Sequence, residues 1–194
     1  ERNRGTRADV HYDFDQFGLS QFQNEIASNL RTSIVVDPPN GRIPELLDAA
    51  VARREARNEA RRGHEFDGPE NRSLSERCVV WTNTLPPILP GGYNGNLQIF
   101  QAPGYVVIQA EMGDPRIIPT DGRQHSASDL EQYNGVPAGH WEGETLVVES
   151  SNFNRESPWR NSSKNLKVTE RLTRINEDTL EYRFTVEDPE TWAS

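Results

Sequence analysis

The chain is 194 residues long, with 34% apolar and 26% charged side chains, and its 21 basic residues against 30 acidic ones leave a net charge of −9. That length suits one domain, and so polar a composition implies a thin core, such as a β-sheet with one wet face provides. An acidic chain with no basic, aromatic-interleaved stretch is not built to track a phosphate backbone. Apolar runs such as Tyr105–Ile108 fall far short of the about 20 residues that a membrane-crossing helix needs.

The first thirty residues are polar, with scattered Tyr12, Phe14, Phe17 and Phe22 that fit neither helical nor strand periodicity. They read as an N-terminal arm, and 31–194 reads as a single β-rich domain. The opening Glu1, in place of a methionine, reads as a processed or trimmed terminus. Ser33–Val36 is predicted as a short strand, stopped by the turn-forming run Asp37-Pro38-Pro39-Asn40-Gly41.

One helix is predicted, from about Pro44 to Arg62. Proline suits its first position, Glu45 and Asp48 face the positive end of the dipole, and Gly63 stops it. Its apolar stripe is only Leu47, Val51 and the alanines 52, 56 and 60, so most of it is expected at the surface. Glu55 and Glu59 interleave with its arginines, which reads as a solvated face with internal ion pairs.

From Asp67 to Asn96 a long connection rich in Pro, Gly, Asn and Ser carries Trp81 and the single cysteine, Cys78. One cysteine excludes an internal disulfide and a multi-cysteine zinc site. Cys78 is then either a small buried hydrophobe or half of a disulfide whose partner lies elsewhere. Period-two patterning follows: Leu97–Gln101 and Tyr105–Met112 around Pro103-Gly104, then Arg116–Ile118 after Gly113-Asp114-Pro115. A second β block comprises Glu144–Phe153 and a hairpin of Leu166–Ile175 with Thr179–Glu187. In its last strand Leu180, Tyr182, Phe184 and Val186 alternate with Glu181, Arg183, Thr185 and Glu187. Crossover helices are missing. The expected fold is therefore mainly β, an antiparallel curved sheet, sandwich or barrel, lipocalin-like in outline, with one surface helix and an N-terminal arm.

The segments Ser33–Leu46 (SIVVDPPNGRIPEL), Asp67–Cys78 (DGPENRSLSERC), Asn96–Arg123, Gly139–Asn154 (GHWEGETLVVESSNFN) and Asn165–Trp192 are distinctive as a set. From Arg31 onward the chain resembles a large family of exported bacterial proteins. Their pattern includes a signal peptide, a Gly-Val-Trp strand near the start and a Cys-His-Glu segment near the end, and neither of those last two features occurs in this sequence. The resemblance implies a periplasmic or secreted protein, a β-rich fold, and pairing of Cys78 with the tail cysteine of a longer parent. It implies no reaction.

The residues themselves offer several candidates for chemistry. Along Leu166, Val168, Glu170 and Leu172 one strand face is apolar except for Glu170, and a carboxylate on a dry face must be paired or hydrogen-bonded. It sits near the sheet's wet rim, or pairs with a neighbouring arginine such as Arg183, or else lines an interior pocket as a tuned acid or base. Glu111 ends a strand that turns polar, and Arg116 follows across a tight turn, so the two could form a rim ion pair or a substrate clamp. His140-Trp141-Glu142 joins a proton shuttle, an apolar wall and an orienting carboxylate, and His125 could add a second imidazole. On a regular strand His140 and Glu142 share a face and Trp141 opposes them.

The histidines lack metal-ligand spacing, and no nucleophile elbow or phosphate loop is present, so no metal and no cofactor is expected. The expected catalytic set is His140, Glu170, Glu142 and His125, with Glu111, Arg116 and Trp141 binding substrate. The function read from this is an exported domain that binds a small organic molecule, with acid–base chemistry of lyase, isomerase or hydrolase type if it is an enzyme. The alternative is a non-catalytic glycan-binding module, with Trp81, Trp141 and Trp159 stacking on sugars, or a subunit of a homo-oligomer or larger assembly.

Overall fold

A computed structural model describes residues 33–80, 86–89, 95–122, 130–156 and 159–193. The N-terminal arm, Trp81 and His125 lie outside these residues. Residues 33–43 belong to a unit of their own. There the Ser33 hydroxyl donates to the Gly41 carbonyl at 2.9 Å and accepts from the Val35 N–H. These bonds fold the segment on itself, and Gly41, at φ +71°, supplies the left-handed residue that closes the turn. The turn falls where the prolines and glycine predict it, but Ser33–Val36 forms no strand. Ile34 and Val36 are exposed and the local hydrogen bonds to Ser33 take the place of a ladder.

Among its described residues the second unit is mainly β, with two antiparallel sheets and one α-helix. Strands β1 (Leu97–Ala102), β2 (Tyr105–Ala110) and β3 (Arg116–Pro119) form a three-stranded meander. Strands β4 (Val136–Glu142), β5 (Thr145–Ser151), β6 (Lys167–Arg174) and β7 (Leu180–Glu187) form a four-stranded one. No ladder joins β3 to β4 or β7 to β1 among the described residues, so the sheets do not close into the barrel that was one of the expected forms.

Alternation decides the core. Val106, Ile108 and Ile118 from the first sheet meet Leu146, Val148 and Leu172 from the second in one buried cluster, with Ile88 and Tyr182 at its margin. A second cluster of Phe153, Leu166 and Val168 is flanked by Trp159, Val186 and Trp192.

Strand β4 escapes the sequence pattern because Pro137, Ala138 and Gly139 have low strand propensity. It forms as the edge of its sheet, where proline is tolerated. Gly139 also has a spatial reason: a Cβ there would stand 2.7 Å from Ile118 Cγ2 and 3.3 Å from the Pro119 carbonyl oxygen. A bare backbone at Gly139 lets β3 and β4 lie side by side without hydrogen-bonding, which makes the seam between the sheets.

The helix, α1, spans Asp48–Arg61, shorter than the predicted 44–62. Its expected first turn is taken by pairing with the C-terminal segment: Leu46 bridges Trp192, the Leu47 N–H donates to the Thr191 carbonyl, and the Ala193 N–H donates to the Glu45 carbonyl. Those bonds satisfy backbone groups that a helix N-terminus would leave open. Ala50 is its one buried residue, and Arg53 donates to the Glu190 carbonyl and the Thr191 hydroxyl. The remainder is a surface helix, as its thin stripe implies. No helix among the described residues is long and apolar enough to cross a membrane.

Candidate functional site

The ladder register of the four-stranded sheet divides the expected catalytic residues. Glu170 pairs across to Val148 and Phe184, and Val148 pairs to Gly139, so these residues share the inner face. His140 pairs with Val147, and Val147 with Arg171, one position out of phase and therefore on the outer face. Glu170 is fully buried, whereas the side chains of His140 and Glu142 are 52% and 49% exposed. One pocket cannot recruit both His140 and Glu170.

On the inner face Glu170 meets Arg116, which β3 sends in from the other sheet. Arg116 shares its strand face with Ile118 and is 5% exposed. Its Nη1 donates to Glu170 Oε1 at 3.0 Å, and its Nη2 donates to Oε2, giving a two-pronged pair. The Tyr182 hydroxyl donates to Oε1 at 2.7 Å and accepts from the Ile88 N–H at 2.9 Å. Burial, then the Glu170 charge, pushes the Tyr182 phenol far above its ordinary range, so it stays a donor. The carboxylate thus receives three hydrogen bonds inside a low-dielectric core. Glu170 does meet an arginine, as one expected alternative has it, but the partner is Arg116, while Arg183 pairs with Glu181 on the wet face.

The other candidates are placed apart. Glu111 is exposed and accepts from the Asn96 amide, so no clamp with Arg116 forms. Glu142 accepts from Arg171 Nη2 at 2.5 Å and lies 3.2 Å from His140 Nε2. Arg171, and after it His140, draws the Glu142 carboxyl below its usual range. Trp141 is 45% exposed and lines a shallow depression with Glu144, Arg174, Asn176 and Glu177. Trp159, partly buried, stands edge-on to Trp192, with ring centroids 5.7 Å apart, at the margin of the second core cluster. Cys78 is exposed, not a buried hydrophobe. Among the described residues no group of His, Cys, Asp or Glu has the arrangement to hold a metal ion.

A cavity does exist, at the seam. It encloses about 530 Å³ between residues 114–119, running into β3, and residues 131–137, running into β4. Ile117, Pro119, Val136 and Pro137 form apolar walls; Asp114, Glu131, Tyr133 and Asn134 supply polar groups, and Arg116 also contributes to the lining. Two features set its electrostatics. The Arg116 charge is already balanced by Glu170, and among the described residues no cation pairs with the lining carboxylates Asp114 and Glu131. Asn134 Oδ1, like the hydroxyls of Ser150 and Ser162, is buried and makes no hydrogen bond, a costly state for a polar atom. Sequence reasoning missed this cleft, because nothing in the pattern of residues 131–137 reveals that they lie against residues 114–119.

The chain matches no known family model, no curated protein and no solved structure in comparisons with each. What the fold and the geometry define is a class: a mainly β domain of two antiparallel sheets cross-linked by a buried ion pair, with a polar cleft along their seam.

Proposed function

We propose that the domain is a binding module for a small organic molecule rich in hydrogen-bond donors, a glycan or another polyol or amine, taken up in the seam cleft. The export implied by the family resemblance would place it in the periplasm or outside the cell. The observation that carries the reading is the cleft of about 530 Å³ itself, with Asp114, Glu131, Tyr133 and Asn134 set among apolar walls. That lining offers acceptors and a negative potential, and its apolar walls suit the C–H faces of such a ligand. A binding role is favoured over acid–base catalysis because His140 and Glu170 occupy opposite faces and Glu170 is held in a sealed ion pair.

Thermal-shift titration with mono- and oligosaccharides, polyols and small amines tests it. A ligand at a hundred times its dissociation constant stabilises the fold by about 2.7 kcal/mol. Asn134→Leu should abolish that shift while leaving the unliganded protein as stable or more so, since it removes an unsatisfied oxygen. His140→Ala should leave binding unchanged. Ligand binding lost in His140→Ala and retained in Asn134→Leu would transfer the site to the outer face and restore the catalytic reading.

A further inference from the structure

Strand β1 is the edge of the three-stranded sheet and is hydrogen-bonded only to β2 among the described strands. Every residue of it is exposed, yet Leu97, Ile99 and Phe100 are large and apolar. Leu97 and Ile99 project to one face, Phe100 to the other. Phe100 stands opposite Val107, and Val107 opposite Ile117, so an apolar row crosses the outer face of all three strands. Phe100 is 53% and Ile117 57% exposed. Edge strands are ordinarily blunted by lysine, proline, a bulge or an inward-pointing charge. The six residues Leu-Gln-Ile-Phe-Gln-Ala contain no such residue, and the register with β2 runs without a bulge.

Charge indicates what this edge accepts. Between Arg77 and Glu111 the sequence contains no Asp, Glu, Lys, Arg or His, although the whole chain carries −9. Within β1 itself a charged partner would find nothing to pair with, the exposed carboxylate beside its start, Glu111, being bonded to Asn96. A second copy, which elsewhere presents an acidic surface to an acidic surface, can approach here without opposing its own charge. We propose that β1 pairs antiparallel with β1 of a second copy across a twofold axis, merging the two three-stranded sheets into one continuous sheet. A twofold normal to the sheet keeps each residue on its own face; with the axis at Ile99, Ile99 meets its counterpart on one side and Phe100 meets Gln98 of the second copy on the other. The pairing would also occupy the free edge and extend the apolar row across both copies.

Sedimentation equilibrium of the chain, at concentrations up to about 100 µM, tests this directly. The expected result is a reversible dimer that tightens with added salt, as screening relieves the mutual repulsion of two acidic chains. Phe100→Lys and Ile99→Lys should each weaken it at least tenfold, because they set like charges across the axis. Leu130→Lys, at an exposed apolar residue outside the strand, should not. If either β1 variant loses its sheet signal in circular dichroism, Gln98→Lys, which adds the charge at an exposed polar position, reads the same interface. A protein that stays monomeric throughout the range overturns the proposal. So does a dimer indifferent to all three β1 substitutions, or one that Leu130→Lys disrupts equally.

Discussion

The two faces of the four-stranded sheet carry the same chemistry in opposite settings. On the inner face Glu170 is gripped by Arg116 with 1% of its side chain exposed; on the outer face Glu142 is gripped by Arg171 with half of its side chain in water. Both are arginine–carboxylate pairs, and β6 contributes to each, through Glu170 in one case and the adjacent Arg171 in the other. Burial separates them, and so does bonding: the inner pair is two-pronged and joined by Tyr182, the outer has one arginine contact. In water the pair gains little, because solvent competes for both charges. In the core neither partner can be left alone, because a lone buried charge has no solvent to return to. The inner pair therefore specifies how the two sheets meet, while the outer one decorates a surface.

The sharpest way to break this comparison is Glu170→Gln. It leaves the Arg116 guanidinium buried without a countercharge, and a loss of about 3–5 kcal/mol in chemical denaturation is expected. Replacing both partners by apolar residues, Arg116→Met with Glu170→Leu, should recover most of that stability, since desolvation of the pair offsets much of its attraction. If Glu170→Gln unfolds no more readily than the parent, the pair is not closed from water and the inner face behaves like the outer.

Tyr182→Phe should have a smaller effect, about 1–3 kcal/mol, by depriving Glu170 of a donor and the Ile88 N–H of its acceptor. Its pH dependence carries a sign. The phenol's folded pKa is raised, first by burial and then by Glu170, so above about pH 10 an unfolded tyrosine ionises while the folded one keeps its proton. Stability is thus fully present below that pH and declines as pH rises beyond it. Tyr182→Phe should remove this part of the alkaline decline, measured as unfolding free energy between neutral pH and pH 11.

The same contrast explains what the sequence discloses. Alternation along Val168, Glu170 and Leu172 identifies Glu170 as an inward carboxylate, because face is a property of one strand. Its partner is not so determined: Arg116 arrives from the other sheet, and no periodicity links residues so far apart in sequence. Arg183, the partner that proximity suggests, has the wrong phase, and this is visible in the strict alternation of β7. Strand β4 hides behind Pro137 and Gly139, whose propensities oppose the structure that tertiary contacts impose. The seam cleft is less legible still, since it exists only where residues 114–119 lie against 131–137.

The outer face provides the finest test. The Glu142 carboxyl is drawn below its ordinary range chiefly by the Arg171 hydrogen bond and secondarily by His140. Such a depressed carboxylate contributes stability above its unfolded pKa of about 4.3, and that contribution is lost as pH falls through the folded value. Because the group is solvent-exposed, its titration is a better readout than stability. Carboxyl carbon chemical shifts followed by NMR should place the Glu142 midpoint below that of a free glutamate. Arg171→Gln should return it most of the way, and His140→Ala only part of the way. High salt should shrink the displacement in the parent, since an exposed pair is screened. If His140→Ala has the larger effect, the imidazole rather than the guanidinium organises this face, and the weak surface pair becomes a histidine–carboxylate couple worth examining for proton transfer.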